Sequence, residues 1–268
     1  MGYLFDPANW EWLTTGNNLR FILEGFLINL EIAIIAMLFS LLVGLLLALA
    51  RLSRNPVLSL VAGVWVDLFR NLPLIFLILY MALALPIAWR DAWEENVPGW
   101  LPEAYQSGFV FAALVALVLY NSAVIAEIMR AGILSLPRGQ SEAALALGLS
   151  YRQSMRQVIL PQGLRRMVPA TVSQLITLNK DTTLVSIIAI TEVMRRGRIV
   201  TSSNFFAEVQ APVLHVFLFI GLLFVLVNYG LSRLSRRLEV GQQKRTGTRL
   251  EEVKGLPEDQ QLVTVEAR

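Results

Sequence analysis

The fold is decided by residues 25–50, GFLINLEIAIIAMLFSLLVGLLLALA, an apolar run whose only charged residue is Glu31. A helix needs about 20 mostly apolar residues to cross the hydrocarbon core of a bilayer, so this run predicts a transmembrane helix. Further runs of suitable length follow, some of them interrupted by polar residues: residues 58–85, 109–126, 168–190 and 212–231. The sequence therefore predicts an all-α integral membrane protein with about five transmembrane helices.

The composition agrees with a membrane protein. Of the 268 residues, 55% are hydrophobic and 16% are charged, whereas soluble domains carry about 25% charged residues. The net charge of +3 is small, and the basic residues lie beside apolar runs, so nucleic acid is not an expected partner. The chain has no cysteine and one histidine, which excludes thiolate chemistry and predicts no metal site.

The arginines in short loops predict the orientation, because cytoplasmic loops are enriched in Lys and Arg. Arginines follow the first predicted span, separate the third from the fourth, and follow the fifth. These ends are expected in the cytoplasm, with the N-terminus outside and the C-terminus inside. Three arginines disagree, since this scheme places them outside: Arg195, Arg196 and Arg198. Either the fourth segment does not cross fully, or the protein itself holds these side chains.

The segment at residues 131–166, AGILSLPRGQSEAALALGLSYRQSMRQVILPQGLRR, predicts a short helix across the cytoplasmic face. Pro137 and Gly139 should end the preceding helix, Ser141 can cap the new one, and Gly148 can end it. A second short helix at residues 151–159 is expected to run only to Pro161. On physical grounds alone, an ordinary amphipathic interfacial helix explains this segment equally well.

The same segment resembles the EAA loop of ABC-importer permeases, through Glu142, Ala143, Ala144 and Gly148, followed by Ile159, Leu160 and Pro161. The flanking stretches narrow the resemblance to the polar amino acid permeases, with the glutamate/aspartate type most similar in appearance. These stretches are DLFRNLPL at residues 67–74, YNSAVIAEIMRAGI at residues 120–133 and NKDTTLVS at residues 179–186.

The resemblance implies a transmembrane permease domain at residues 1–238 in the inner membrane of a bacterial cell. Residues 239–268 are polar and mixed in charge, and they are expected to form a cytoplasmic tail. It implies that Glu142, Ala143, Ala144 and Gly148 form a coupling helix seated on an ATP-binding subunit. The implied partners also include a second permease subunit, identical or paralogous, an extracytoplasmic solute-binding protein, and an amino acid substrate. No G-x-x-x-x-G-K-[ST] sequence is present, so ATP and Mg²⁺ are expected on the partner ATPase, and no cofactor or catalytic residue is expected in this chain.

Polar residues at bilayer depth are costly, so those of the fourth segment are candidates for a substrate pathway. They are Asn179, Lys180, Asp181, Thr182, Thr183 and Ser186. The alternative is a neutralised Lys180–Asp181 site that only tightens helix packing. Elsewhere, a spacing of three predicts the ion pairs Asp67–Arg70 and Glu127–Arg130.

A different function also fits some of these residues. In an ion-coupled secondary amino acid transporter, Lys180, Asp181 or Glu31 would couple transport to an ion gradient. Such folds usually contain internal repeats and more spans, and neither is visible in the sequence.

Overall fold

The computed structural model describes residues 2–202 and 211–246, in which the regular structure is entirely helical. The α-helices are α1 (Gly2–Phe5), α2 (Asn18–Arg51), α3 (Pro56–Asn71), α4 (Leu74–Ala84), α5 (Ile87–Asn96), α6 (Gly108–Leu134), α7 (Arg138–Ala146), α8 (Tyr151–Ser154), α9 (Leu160–Asp181), α10 (Val193–Ser202) and α11 (Val213–Thr246). Short 3₁₀ helices cover Pro7–Leu13, Glu103–Gln106 and Thr182–Ile188, and a π-helical turn covers Met155–Ile159.

Three helices among the described residues are long and apolar enough to span a membrane: α2, α6 and α11. The pair α3–α4 meets the same criteria together but bends by 104° at its break, so the described residues contain up to four candidate spans. The bend follows from sequence, since Pro73 lacks an amide hydrogen and restricts Leu72 to the extended conformation it adopts.

The predicted span at residues 168–190 is not a single helix. It begins inside α9, which ends at Asp181, and continues as the 3₁₀ helix Thr182–Ile188. The hydroxyl groups of Thr182 and Thr183 donate to carbonyl oxygens three residues earlier, and such local bonds compete with regular α-helical pairing. This region is therefore not among the candidate spans of the described residues.

Helix α6 lies at the centre of the core, against α2, α3, α4 and α9. Small residues allow the close approach. A Cβ atom at Gly44 of α2 would lie 2.7 Å from Ile125 Cγ2, and one at Gly163 of α9 would lie 2.8 Å from Ile133 Cγ1. Such small-residue contacts bring helix backbones together within membranes, and here they join α2 and α9 to the C-terminal half of α6.

Ion pairs connect α2, α3 and α6 around Glu127. Its carboxylate pairs with Arg51 and, as predicted, with Arg130, 2.9 Å away. The predicted Asp67–Arg70 pair is wrong, because Asp67 lies 3.6 Å from Arg51 and Arg70 lies 3.9 Å from Glu127. The short connection between α2 and α3 brings Arg51 beside α3, and this contact competes with the pairing along α3.

Two helix boundaries predicted for the segment at residues 131–166 differ from those in the structure. Helix α7 starts at Arg138, so Ser141 lies inside it and donates to Arg138 O instead of capping. Pro161 does not end the second short helix, because the chain continues from α8 through the π turn into α9. In the π turn, the amide of Leu160 bonds to the carbonyl of Met155, five residues earlier, and this wider turn accommodates the proline that follows.

Helix α11 continues past the predicted domain boundary at residue 238 and reaches Thr246. The remainder of the predicted tail, residues 247–268, lies outside the described residues.

Candidate functional site

The first candidate site is α7 with its C-terminal turn. Gly148 has φ +80°, which glycine adopts without a steric penalty. The amide of Gly148 bonds to Leu145 O at 2.9 Å, and that of Leu149 bonds to Ala144 O at 3.2 Å. These bonds form a Schellman motif, which satisfies the last carbonyls of α7 and reverses the chain towards α8.

The four residues of the EAA resemblance do not share one face of α7. Glu142 and Ala143 are exposed, whereas Ala144 is 3% exposed and turned into the chain. Leu147, which follows the helix, is 82% exposed. The outward surface of α7 and its turn therefore includes Glu142, Ala143 and Leu147, whereas Ala144 lies on the buried side, where α8 and the π turn pack against α7.

Two hydrogen bonds attach α7 and the turn before it to α9. Gln162 Nε2 donates to Gln140 Oε1 at 3.3 Å, and Arg166 Nη1 donates to Ser135 O at 2.7 Å. The chain is helical without interruption from Tyr151, just after α7, to Asp181 at the far end of α9. A continuous helical segment therefore leads from just after α7 to the polar residues of the second site.

The second candidate site is the junction of α9 with the 3₁₀ helix that follows. Three of its predicted pathway residues are buried: Asn179, Thr182 and Ser186. Asn179 Nδ2 donates to Asn228 Oδ1 of α11 at 3.1 Å, and Thr182 Oγ1 accepts from Asn29 of α2 at 3.0 Å. These side chains hold the junction against its neighbours.

The other three predicted residues have accessible side chains. Lys180 is exposed, and Asp181 and Thr183 are partly exposed. Neither Lys180 nor Asp181 forms a salt bridge within the described residues. The described residues therefore contain no Lys180–Asp181 salt bridge, and the side chain of Lys180 is more exposed than that of Asp181.

The protein holds one of the discordant arginines. Arg196 Nη1 donates to Phe21 O at 2.8 Å and to Glu24 Oε2 at 3.2 Å, and its guanidinium lies 4.5 Å from the centre of the Phe21 ring. Its side chain is 14% exposed. The second explanation offered by the sequence therefore applies to Arg196, and the first also agrees with the structure, since residues 168–190 are not among the candidate spans of the described residues.

Two residues that anchor this region were not identified from the sequence in these roles. Asn29 is fully buried and bonds to both Thr182 and the Val193 amide. Glu192, also fully buried, accepts from the amides of Met194 and Arg195 at the start of α10. Burial raises the pKa of Glu192 against the lowering effect of these two bonds. A carboxylate just before a helix is a recognisable capping signal, but the sequence does not show that it is buried.

Comparison with known proteins covers most of the chain. Residues 40–240 match the family model described as "Binding-protein-dependent transport system inner membrane component". The chain is 38% identical over 225 residues to the probable glutamine ABC transporter permease protein GlnP of Bacillus subtilis, covering 84% of this chain and 95% of that protein. It is 33% identical over 224 residues to the glutamate/aspartate import permease protein GltK of Escherichia coli, covering 84% and 94%.

The fold is also similar to that of a solved transporter. The structure described as "Crystal structure of an amino acid ABC transporter with histidines" aligns with a TM-score of 0.68 and 27% identity, covering 82% of this chain and 94% of that one. These matches confirm the resemblance carried by the EAA loop and its flanking stretches. The chain belongs to the inner membrane permeases of binding-protein-dependent ABC transporters, in their polar amino acid branch.

Proposed function

We propose that this permease forms half of the pathway of an ABC importer for polar amino acids and that α7 couples it to a separate ATPase subunit. The observation that carries the proposal is the outward surface of Glu142, Ala143 and Leu147 on a helix attached to α9. Permeases of this family have no ATPase activity of their own, and they work with an ATPase and a binding protein. The secondary-transporter alternative does not fit a binding-protein-dependent family.

In this mechanism the ATPase moves α7, and the continuous helical segment from Tyr151 to Asp181 transmits the movement. Ala144 and the two hydrogen bonds to α9 keep α7 from sliding independently. The Gly132–Gly163 crossing holds α9 against α6. A push on α7 therefore changes the position of the α9 junction relative to the other spans, which is the change that alternating access requires.

The proposed orientation places α7 in the cytoplasm and the N-terminus outside. Its support is the concentration of arginines at the end of the molecule that carries α7 and α8, since cytoplasmic ends are rich in Lys and Arg. The capture of Arg196 by Phe21 and Glu24 removes one objection to this arrangement.

The proposed pathway surface consists of Lys180, Asp181 and Thr183. Lys180 and Asp181 are adjacent in sequence and opposite in charge, so they suit the carboxylate and the ammonium group of an amino acid, respectively. Asn179, Thr182 and Ser186 belong to the same site as positioning residues because they are buried and hydrogen-bonded. A second permease subunit, identical or paralogous, would complete the pathway.

Substrate selection within the polar amino acids is the finer part of the proposal. The sequence favours an acidic amino acid by its similarity to glutamate/aspartate permeases, while GlnP of Bacillus subtilis is named for glutamine. The test is ATP-driven uptake of glutamate, aspartate, glutamine and arginine by the reconstituted complex with its binding protein. Uptake of an acidic amino acid supports the finer proposal, exclusive uptake of glutamine or arginine corrects it, and ATP-independent uptake contradicts the whole mechanism.

Coupling through α7 can be tested by cysteine crosslinking, because the chain contains no native cysteine that would interfere. An Ala143→Cys variant is expected to crosslink to cysteines introduced into the ATPase subunit. The control is Ser202→Cys, at an exposed position on α10, and this variant should not crosslink to the ATPase subunit. Failure of Ala143→Cys to crosslink in a complex that still hydrolyses ATP and imports substrate would contradict the proposed contact.

A further inference from the structure

A cavity of about 680 Å³ lies beside the site of α7, between the C-terminal end of α2 and the α8–α9 segment. Its volume is in the range of about 300–1,000 Å³ typical of small-molecule sites. The coupling mechanism does not use it. Its lining combines two chemistries, with arginines on one part and long aliphatic side chains on the other.

All the charged residues of the lining are cationic, and its other polar residues, Ser53 and Tyr151, are neutral. The lining contains Arg54, Arg152 and Arg156, all exposed, and no carboxylate. None of the three arginines forms a salt bridge in the described part of the chain. Three uncompensated guanidinium groups around one cavity favour an anion, and planar guanidinium groups bind phosphate oxygens in a bidentate manner.

One of these arginines has a fixed position. The Arg54 guanidinium lies 4.3 Å from the centre of the Tyr151 ring, and the Tyr151 hydroxyl donates to Leu52 O at 3.3 Å. Tyr151 therefore connects α8 to the end of α2 and places the guanidinium at the rim of the cavity. This arrangement lowers the entropy cost of ordering Arg54 around a ligand.

The apolar part of the lining continues the lipid-facing surface of a membrane span. Leu46 of α2 is 67% exposed, and Leu58 of α3 is 47% exposed. Both belong to helices that form candidate spans. A ligand that fills the whole cavity therefore needs an anionic head at the arginines and a hydrocarbon chain along these leucines.

We propose that this cavity binds one anionic phospholipid, with its phosphodiester at Arg54, Arg152 and Arg156 and an acyl chain along Leu46 and Leu58. Basic pockets between membrane helices bind such headgroups in general. Because Tyr151 begins the helical segment that leads from α7 to α9, the lipid occupies the joint between the coupling helix and the end of α2. The proposal does not depend on which amino acid is transported. The proposed orientation places this lipid in the inner leaflet of the membrane, and only that assignment depends on the orientation.

The test uses the full chain in complex with its ATPase subunit, delipidated in a mild detergent and titrated with lipid under native mass spectrometry. Dioleoyl phosphatidylglycerol is expected to bind, and dioleoyl phosphatidylcholine to bind more weakly. A variant with Arg54→Gln, Arg152→Gln and Arg156→Gln should bind phosphatidylglycerol about fivefold more weakly for each arginine removed. A variant with Arg236→Gln and Arg237→Gln, which removes exposed arginines of α11 outside the cavity, should bind normally.

A second variant protects the test against misfolding of the first. Leu58→Trp keeps all three charges but fills the apolar part of the cavity, and it should also weaken binding. Inorganic phosphate at the same concentration should not displace the lipid, since it lacks the acyl chain. The proposal is overturned by equal affinity for the two lipids, by equal weakening in the α11 variant, or by displacement with phosphate.

Discussion

Asn29 on α2 donates a hydrogen bond from Nδ2 to Oγ1 of Thr182, 3.0 Å away and 153 positions later in the chain. The Oδ1 atom of the same amide accepts from the backbone amide of Val193 at 3.1 Å. One buried side chain thus joins α2 to the junction after α9 and to the start of α10. The relative position of these three segments is therefore fixed at the level of the candidate pathway residues.

Replacing Asn29 with leucine should loosen this junction. The substitution leaves the Val193 amide without its partner in a buried position, and an unsatisfied buried group costs about 1–3 kcal/mol. We expect a lower midpoint for the thermal unfolding of the detergent-purified complex. Asn96→Ala is the control because Asn96 is exposed, and surface substitutions usually change stability by less than about 0.5 kcal/mol. An unchanged midpoint for Asn29→Leu would contradict the proposed role.

The crossing of α6 and α9 predicts a specific sensitivity at Gly163. A Cβ atom there would lie 2.8 Å from Ile133 Cγ1 and 3.0 Å from Ile133 Cα, so Gly163→Ala must separate the helices. Overpacking of this kind costs about 1–3 kcal/mol. Gly221→Ala in α11 meets nothing within 4 Å and should be tolerated. Equal thermal stability of the two variants would show that the crossing adjusts without cost.

The turn after α7 should be sensitive at Gly148. Gly148 has φ +80°, and an alanine in this left-handed conformation costs about 1–2 kcal/mol of conformational free energy. Gly148→Ala is therefore expected to shift the outward surface of α7 and to lower the amount of substrate imported per ATP hydrolysed in proteoliposomes. Gly139→Ala, within α7 and with open space around it, should keep the wild-type ratio. A wild-type ratio for Gly148→Ala as well would rule out a role of the turn in coupling.

The ion pairs around Glu127 predict unequal effects for two carboxylates of the same cluster. Glu127 has a side chain that is 17% exposed and contacts Arg51 and Arg130, whereas that of Asp67 is 60% exposed. Glu127→Gln leaves these arginines without their shared partner, and losing one member of a buried pair costs up to about 3–5 kcal/mol. Asp67→Asn should cost less than about 1 kcal/mol, as for exposed pairs. Thermal unfolding of both variants measures the difference, and the reverse order would contradict this description.

The candidate pathway predicts loss of transport from a change at Asp181. Asp181→Ala should abolish amino acid uptake while the complex still assembles, because the carboxylate is accessible and has no salt-bridge partner in the described residues. Thr177→Ala changes an exposed residue one helical turn earlier and should retain uptake. The measurement is ATP-driven uptake together with co-purification of the ATPase subunit. Normal uptake by Asp181→Ala would remove this residue from the pathway.

Several features could be predicted from the sequence because they depend on neighbouring residues. The apolar run at residues 25–50 lies within α2. Gly148 lies in the turn that terminates α7, and Glu127 pairs with Arg130 three positions later. The EAA loop and its flanking stretches also identified the family, because these motifs are short and local in the sequence.

Other features depend on distant parts of the chain, and periodicity carries no information about them. Asp67 pairs with Arg51 because α2 and α3 lie side by side. Ala144 is buried because α8 and the π turn pack against α7. Pro161 is accommodated because a π turn precedes it. The sequence alone determined that apolar helices are long enough to cross a membrane and that a short polar helix lies between two of them. Only the tertiary structure decided which polar side chains remain accessible, because burial and hydrogen bonding depend on segments that are close in space and far apart in sequence.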